Sequence, residues 1–294
     1  MAVLETRMGT GVAAAAVRGR SLWRELLRTP SAVAGLFILS ILGLACLIGP
    51  LISGQDPITQ NLAETLLPAS VAHPLGTDGL GRDELVRLLY GGRYSMLLGL
   101  AAAAIGIGIG LPLGSLSGFY GGRVDLVVQA LNDVLLSFPG ILLALALVAG
   151  LGVGLQNVTI AVAISSIPAF VRLARASALS IRELEYTRAA IAIGQTRARI
   201  VLRHVIPNSI APIIVQASLQ VGSAVLVAAG LGFLGLGVQP PTPEWGSMLG
   251  DSRNYIFRSP ALSTFPGLAI FVVVIGFNLL GDGLRDVLDP RLTQ

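Results

Sequence analysis

Few side chains in this sequence are equipped for covalent or metal chemistry. All 20 basic side chains are arginine. Without lysine the chain builds neither a Walker-type phosphate loop, whose lysine reaches the β and γ phosphates, nor a Schiff base. Cys46 is the only cysteine and sits in an apolar run, where it reads as a small buried hydrophobe. That excludes an internal disulfide and a cysteine-ligated metal, and His73 and His204 are too far apart for a histidine-rich site. No paired carboxylates and no Ser/His arrangement occur at usable spacing, so the expectation is a protein that is not an enzyme. Ionic and hydrogen-bonding chemistry remains. Asp133 is the one acid well inside an apolar run, a candidate for function or for pairing with an arginine. Gln216, Ser218, Gln220 and Ser223 are polar positions in another apolar run, suited to lining a pathway or to bonding between helices.

The densest charge lies between Leu179 and Asn208, where Arg182, Arg188, Arg197, Arg199, Arg203 and His204 fall between two apolar runs. A basic loop between spans marks the cytoplasmic side of a membrane protein. Ser180–Ile193 suits a helix, and Gly194 offers a stop without a Cβ penalty. A second helix fits Thr196–Ile206, with Ala198, Val201, Leu202 and Val205 as its apolar stripe. Arg199 and Arg203 repel each other one turn apart, a strain that an acidic partner or lipid headgroups would relieve. Pro207 closes the hairpin and begins the next span. Two short basic helices around a glycine make a docking surface.

Ala189-Ala190, followed by Gly194 and then Ile206-Pro207, resembles the EAA loop of ABC-importer permease subunits. In that family the loop is a coupling helix seated in a groove of a separate ATPase. Arg188 stands where glutamate is usual, although Glu185 keeps an acid nearby. Two further stretches resemble the C-type subunits of the dipeptide/oligopeptide (peptide/nickel) branch. One is HPLGTDGLGRD at His73–Asp83. The other is FLGLGVQPPTPEWG at Phe233–Gly246, preceded by Gly232 where serine is usual. The tail from Asp282 is also similar, and the likeness runs from about Trp23 to Leu292. By that resemblance Glu185, Tyr186, Arg188, Ala189, Ala190 and Gly194 meet the ATPase.

The elements that position these residues follow from composition. Apolar residues make up 53% and charged residues 12%, far too little polar surface for a soluble chain of 294 residues. The expected fold class is all-α, a polytopic membrane protein with six transmembrane helices; the resemblance specifies the type I ABC importer permease fold. Three regions are expected: a cytoplasmic N-terminal segment at 1–30, a first span with an outer loop at 31–93, and a core permease domain at 94–294 containing the loop 179–208. The Ala13–Val17 run is too short and too weakly apolar for a signal-peptide core, so the N-terminal segment is expected to be retained. Trp23 suits an interface anchor.

The spans are expected at Ala32–Ile52, Tyr94–Gly118, Leu126–Leu151, Val158–Leu179, Pro207–Leu231 and Pro266–Gly281. Asp83–Arg93 reads as a separate interfacial helix, with Thr77 and Asp78 as caps. The outer loop serves either substrate entry and binding-protein contact or as a capped elbow packing the outer face. Gly106, Gly110, Gly114 and Gly118 lay a smooth strip along the second span for close packing, within the chain or against a partner. Gly230–Leu249 is too rich in glycine and proline for a straight helix, which membrane depth tolerates only where protein or a water-filled cavity surrounds it. This topology leaves only Arg82, Arg87, Arg93, Arg253 and Arg258 outside. Both termini are therefore expected in the cytoplasm of a multi-pass protein of the cytoplasmic (inner) membrane.

The function expected by resemblance is ATP-driven import of di/oligopeptides by alternating access. The implied partners are a second homologous permease subunit, two ATP-binding subunits, an extracytoplasmic substrate-binding protein and membrane lipid. The chain itself would hold no cofactor, ATP and magnesium being bound by the ATPase subunits. Nucleic acid is not expected, because no aromatic residues interleave with the arginines. The alternatives are import of nickel complexes or glutathione on the same fold, or an ion-gradient-driven secondary transporter relying on Asp133.

Overall fold

The computed structural model describes residues 22–288; Arg7, Arg18, Arg20, the Ala13–Val17 run and Arg291 lie outside them. Among the described residues the regular structure is helical, with one isolated bridge joining Thr77 and Asp83. A short helix α1 (Leu22–Leu26) carries the exposed Trp23 and leads into α2 (Pro30–Ser53). There Pro30 takes a first-turn position that needs no donor. Next come α3 (Glu84–Tyr120), α4 (Gly122–Leu136), α5 (Gly140–Leu151) and α6 (Leu155–Arg182). The loop helices α7 (Glu185–Ala192) and α8 (Arg197–Ile200) precede α9 (Ile206–Phe233), α10 (Trp245–Ser252) and α11 (Ala261–Leu288). Among the described residues five helical segments are long and apolar enough to cross a membrane, and α4 and α5, bent by 89° at their junction, make six if the pair is one broken span.

Three expectations about element boundaries need correction. Leu126–Leu151 is not one straight span, because Pro139 lacks an N–H and disfavours helix at the residue before it. Asp83–Arg93 is not a separate helix: it runs on unbroken into the second span, making α3 37 residues long. The cap is Asp83, whose Oδ1 accepts the Val86 N–H at 2.9 Å, and not Thr77 or Asp78. Gly91 and Gly92 do not break α3, because their bare faces are covered by Trp245 of α10, itself fully buried. Finally, Arg197 to Phe233 forms one continuous helical path, so Pro207 does not close the hairpin as a separate unit.

At about 1.5 Å per residue, α3 is ~55 Å long, more than a ~30 Å hydrocarbon core requires. Its C-terminal half is packed against α6. A Cβ on Gly110 would lie 2.5 Å from Phe170 Cβ, on Gly114 2.3 Å from the Val171 carbonyl, and on Gly118 2.6 Å from the Arg175 carbonyl. The glycine strip thus packs within the chain. Near the end of this contact Arg175 makes a two-pronged pair with Asp125 of α4, at 2.6 and 2.7 Å, and Ser117 Oγ of α3 donates to Asp125 at 2.5 Å. Three helices are tied at one point.

The segment after α9 is exposed at 234–235 and 239–241 and becomes buried from Pro243 to Met248. Trp245, Gly246, Ser247 and Met248 are buried, and Trp245 Nε1 donates to the Leu88 carbonyl of α3 at 2.9 Å. Glu244 caps α10 through Ser247 N–H at 2.9 Å and accepts from Ser95 Oγ of α3 at 2.8 Å. Within the irregular stretch, the Gln239 side chain donates to the Gly235 and Gly237 carbonyls at 3.0 and 3.1 Å.

Two outcomes follow from this packing. Gly114→Ala should destabilise the fold by about 1–3 kcal/mol, since the methyl has nowhere to go. Gly108→Ala, where nothing lies within 4 Å, should be neutral or slightly stabilising; thermal unfolding of the detergent-purified protein separates the two. Asp125→Asn keeps the shape but loses the charge pair, and the melting curve should report about 1–2 kcal/mol lost, discounted for partial exposure.

Candidate coupling surface

The arginine-rich loop is seated on the ends of α3 and α6. Ala190, Ile200, Val201 and Val205 pack with Phe119 of α3 and with Ala178 and Ile181 of α6 in one buried cluster. A single helix from Ser180 to Ile193 cannot achieve this. Ile181 and Ala190 are nine residues apart, so on a straight helix they would face ~180° apart. The chain instead breaks at Glu183–Leu184, with Leu184 extended, and restarts as α7. The second half is adjusted similarly: Val201–Val205 is a π turn, so Ile200, Val201 and Val205 turn inward, while Ala198 and Leu202 of the expected stripe are exposed.

Among the expected contact residues, Glu185, Tyr186, Arg188, Ala189 and Gly194 are exposed. Ala190 is not: it is 5% exposed and belongs to the cluster beneath. Its small side chain lets α7 lie close to its own protein and is not available to a partner. Gly194 has φ +81°, a left-handed conformation costly for any side chain, and turns the chain while Gln195 N–H bonds back to the Ala190 carbonyl at 3.1 Å. Glu185 lies in the first turn of α7, where its charge complements the helix dipole.

Sequence reasoning missed the partner of Arg188. Glu183, at the break, takes a 2.5 Å bond from the Arg188 guanidinium, which holds its carboxyl below the usual range. It also missed the ring contact of Tyr186 with His204, centroids 5.9 Å apart, and that of Arg197 over Tyr120, 5.8 Å from the ring. Thr187 is fully buried, and its Oγ1 has no hydrogen-bond partner among the described residues. The threonine sits one turn from Ala190 on the same face, a spacing that was readable once that face was known to be inward. Arg199 and Arg203 make no ion pair with the described residues and point outward.

The expected pathway residues do not converge. Asp133 pairs with Arg172 of α6 at 3.3 Å on an exposed face of α4, beside the exposed Leu131 and Val134. Gln216 and Gln220 are half-buried one turn apart on α9, and no hydrogen bond or ion pair joins them to Asp133. The His73–Asp83 stretch, at the opposite end of α3, forms a dense polar elbow. His73 Nδ1 meets Asp83 at 2.9 Å, Asp78 meets Arg82 at 2.7 Å and Arg87 at 3.4 Å, and Thr77 Oγ1 donates to the Glu64 carbonyl.

Comparison with known proteins agrees with this architecture. Residues 110–294 match the family model of binding-protein-dependent transport system inner membrane components, and residues 18–69 match the N-terminal transmembrane domain of oligopeptide transport permease C. A dipeptide transport system permease protein of Alkalihalophilus pseudofirmus is 45% identical over 93% of this chain and 90% of its own length. A glutathione transport system permease protein of Pectobacterium atrosepticum is 45% identical over 93% and 91%. A probable D,D-dipeptide transport system permease protein of Escherichia coli is 44% identical over 93% and 92%. Among solved structures, an inward-facing form of the MetNI methionine ABC transporter superposes with a TM-score of 0.56 at 20% identity, covering 68% of this chain and 95% of that one, a likeness of fold. A helical multi-pass chain with an arginine loop docked on its longest helix pair, matched by these models and relatives along most of its length, belongs to the family of binding-protein-dependent transport system inner membrane components: it is a permease subunit of an ABC importer and not an enzyme.

Proposed function

We propose that this chain is the C-type permease subunit of an importer for di- and oligopeptides, moved by ATPase subunits through the loop between α6 and α9. The carrying observation is mechanical. The loop's buried side is one cluster with the ends of α3 and α6, so a force on its exposed side displaces the helix pair as a body. The exposed side, with Glu185, Tyr186, Arg188, Ala189 and Gly194, is the surface offered to the ATPase. Alternating access then follows when nucleotide-driven closure of the ATPases favours one of two arrangements of the helices.

In this reading two ATP-binding subunits hold the nucleotide and magnesium, a second homologous permease subunit completes the pathway, and an extracytoplasmic binding protein delivers cargo. The exposed apolar face of α4 (Leu126, Val127, Leu131, Val134) supports cover by that second subunit or by lipid. Asp133 with Arg172, together with Gln216 and Gln220, would be polar positions along the pathway. Arg172, Arg175 and the loop arginines cluster at one end of the bundle, which supports a cytoplasmic loop and cytoplasmic termini in the inner membrane.

The ion-gradient alternative has less support, because the matched family is described as components of binding-protein-dependent transport systems. Glutathione is a second reading for the cargo, favoured by a relative of equal identity that carries that name.

Gly194→Val tests the coupling role. The left-handed conformation costs a β-branched residue about 1–2 kcal/mol, and relaxing it would misplace α7. In proteoliposomes containing the complete transporter, uptake of labelled dipeptide should fall about tenfold while ATP hydrolysis and membrane insertion persist. Normal coupled uptake by this variant would remove the assignment.

A further inference from the structure

The foot of α2 carries apolar and basic surface that has no part in the coupling loop. The 24 residues from Pro30 to Ser53 include no charge. At about 1.5 Å each they cover ~36 Å, enough to cross a ~30 Å hydrocarbon core. This helix is the least buried of the five spans, and Phe37, Ile41, Leu44 and Ile48 stand exposed along one face at helical spacing.

The short helix α1 sits where that apolar run begins. Its Leu26 is buried, and α1 packs on α11. The turn into α2 is bonded throughout. Arg28 N–H donates to the Glu25 carbonyl at 3.0 Å, Thr29 N–H to the Leu26 carbonyl at 3.2 Å, and Thr29 Oγ1 to the Glu25 carbonyl at 3.0 Å. Backbone contact then fixes α2 to α11. A Cβ on Gly283 would lie 2.4 Å from Ala32 N, and one on Gly35 would lie 2.6 Å from Leu280 N. The elbow therefore holds α1 at one place on the bundle.

Successive residues turn by ~100° on a helix, so with Leu26 inward Trp23 and Leu27 share a second face and Arg24 and Arg28 a third. Trp23 is 70% and Leu27 63% exposed. Arg24 and Arg28 are exposed too, and neither makes an ion pair with the described residues. Like charges one turn apart repel. A phosphate between them removes the repulsion, and guanidinium groups match its oxygens two at a time. On the last turns of α11 the exposed Arg285 is offset by the exposed Asp282 and Asp286, so the surplus positive charge lies on α1. An indole and a leucine beside a basic edge suit the bilayer interface, with the rings and alkyl groups at the acyl boundary and the arginines level with headgroups.

We propose that α1 and the foot of α2 bind an anionic phospholipid, its phosphate between Arg24 and Arg28 and its acyl chains beside the apolar run of α2. A zwitterionic lipid brings its own ammonium to the same place and gains less from the two guanidinium groups. The site depends on neither the cargo nor the ATPase contact proposed above.

The test uses the complete transporter in nanodiscs of phosphatidylcholine. Trace photoreactive phosphatidylglycerol or phosphatidylcholine is added, both carrying a diazirine at the same headgroup position. Peptide mapping of the unaltered protein should find residues 22–28 labelled about tenfold more by the phosphatidylglycerol probe. Arg24→Gln combined with Arg28→Gln should lower that labelling to the phosphatidylcholine level. A probe with its diazirine in the acyl chain should still label α2 around Ile41 in the variant, which reports intact insertion. Equal labelling of the unaltered protein by the two lipids overturns the proposal whatever the variant does. Displacement of the phosphatidylglycerol label by inorganic phosphate at constant ionic strength would reveal a bare anion site and overturn the lipid assignment.

Discussion

The close approach of α3 and α6 is the contact on which the other elements rely. Without side chains at Gly110, Gly114 and Gly118, the backbone of one helix lies against the carbonyls of the other. In a membrane the hydrophobic effect gives helices little reason to prefer each other over lipid, so tight van der Waals contact must supply the attraction. The strip does this over about two turns. It makes the pair stiff up to the end of α3 that carries the loop, and leaves the N-terminal end of α3 beyond the strip, where the polar elbow is built.

At one end the stiffness becomes useful to the loop. The cluster of Phe119, Ala178 and Ile181 beneath α7 and α8 means that the basic surface is not a tether of slack chain. Arg175 and Asp125 bind α4 to the same place, so three helices share the displacement. Arg188 pairs with Glu183 on the exposed side of the loop, with both side chains open to solvent. An arginine at the position where the resembling family has glutamate therefore finds its acid within the chain, and the charge that the loop presents is set by the pair.

At the other end α3 meets the opposite problem, burying charge beside the bundle. Asp83 satisfies the first free N–H groups of the helix, and Asp78 gathers two arginines. Burial of paired charges gains little net stability, since desolvation consumes most of the attraction. What such a network fixes is geometry: Trp245 and Glu244 lock α10 against α3, and the elbow's carboxylates and guanidinium groups face one chamber.

The sequence alone determined the class of this protein. Apolar runs long enough to span a bilayer, arginines concentrated in one loop and the total lack of lysine are one-dimensional facts, and each carries its physical meaning without coordinates. Three short motifs were enough to indicate the family. The glycine strip was legible as a packing face, and Gly194 as a turn, because spacing and the missing Cβ are both written in the chain. The inward turn of Ala190, the break at Glu183–Leu184 and the π turn at Val201–Val205 were not, since nothing local forbids a regular helix there. They arise because Ile181, Ala190 and Val205 must reach one cluster on other helices, and only the tertiary structure defines where that cluster lies. The same holds for Glu84: its acid is plain in the sequence, but its Oε1 is left without a hydrogen-bond donor only once the elbow has buried it.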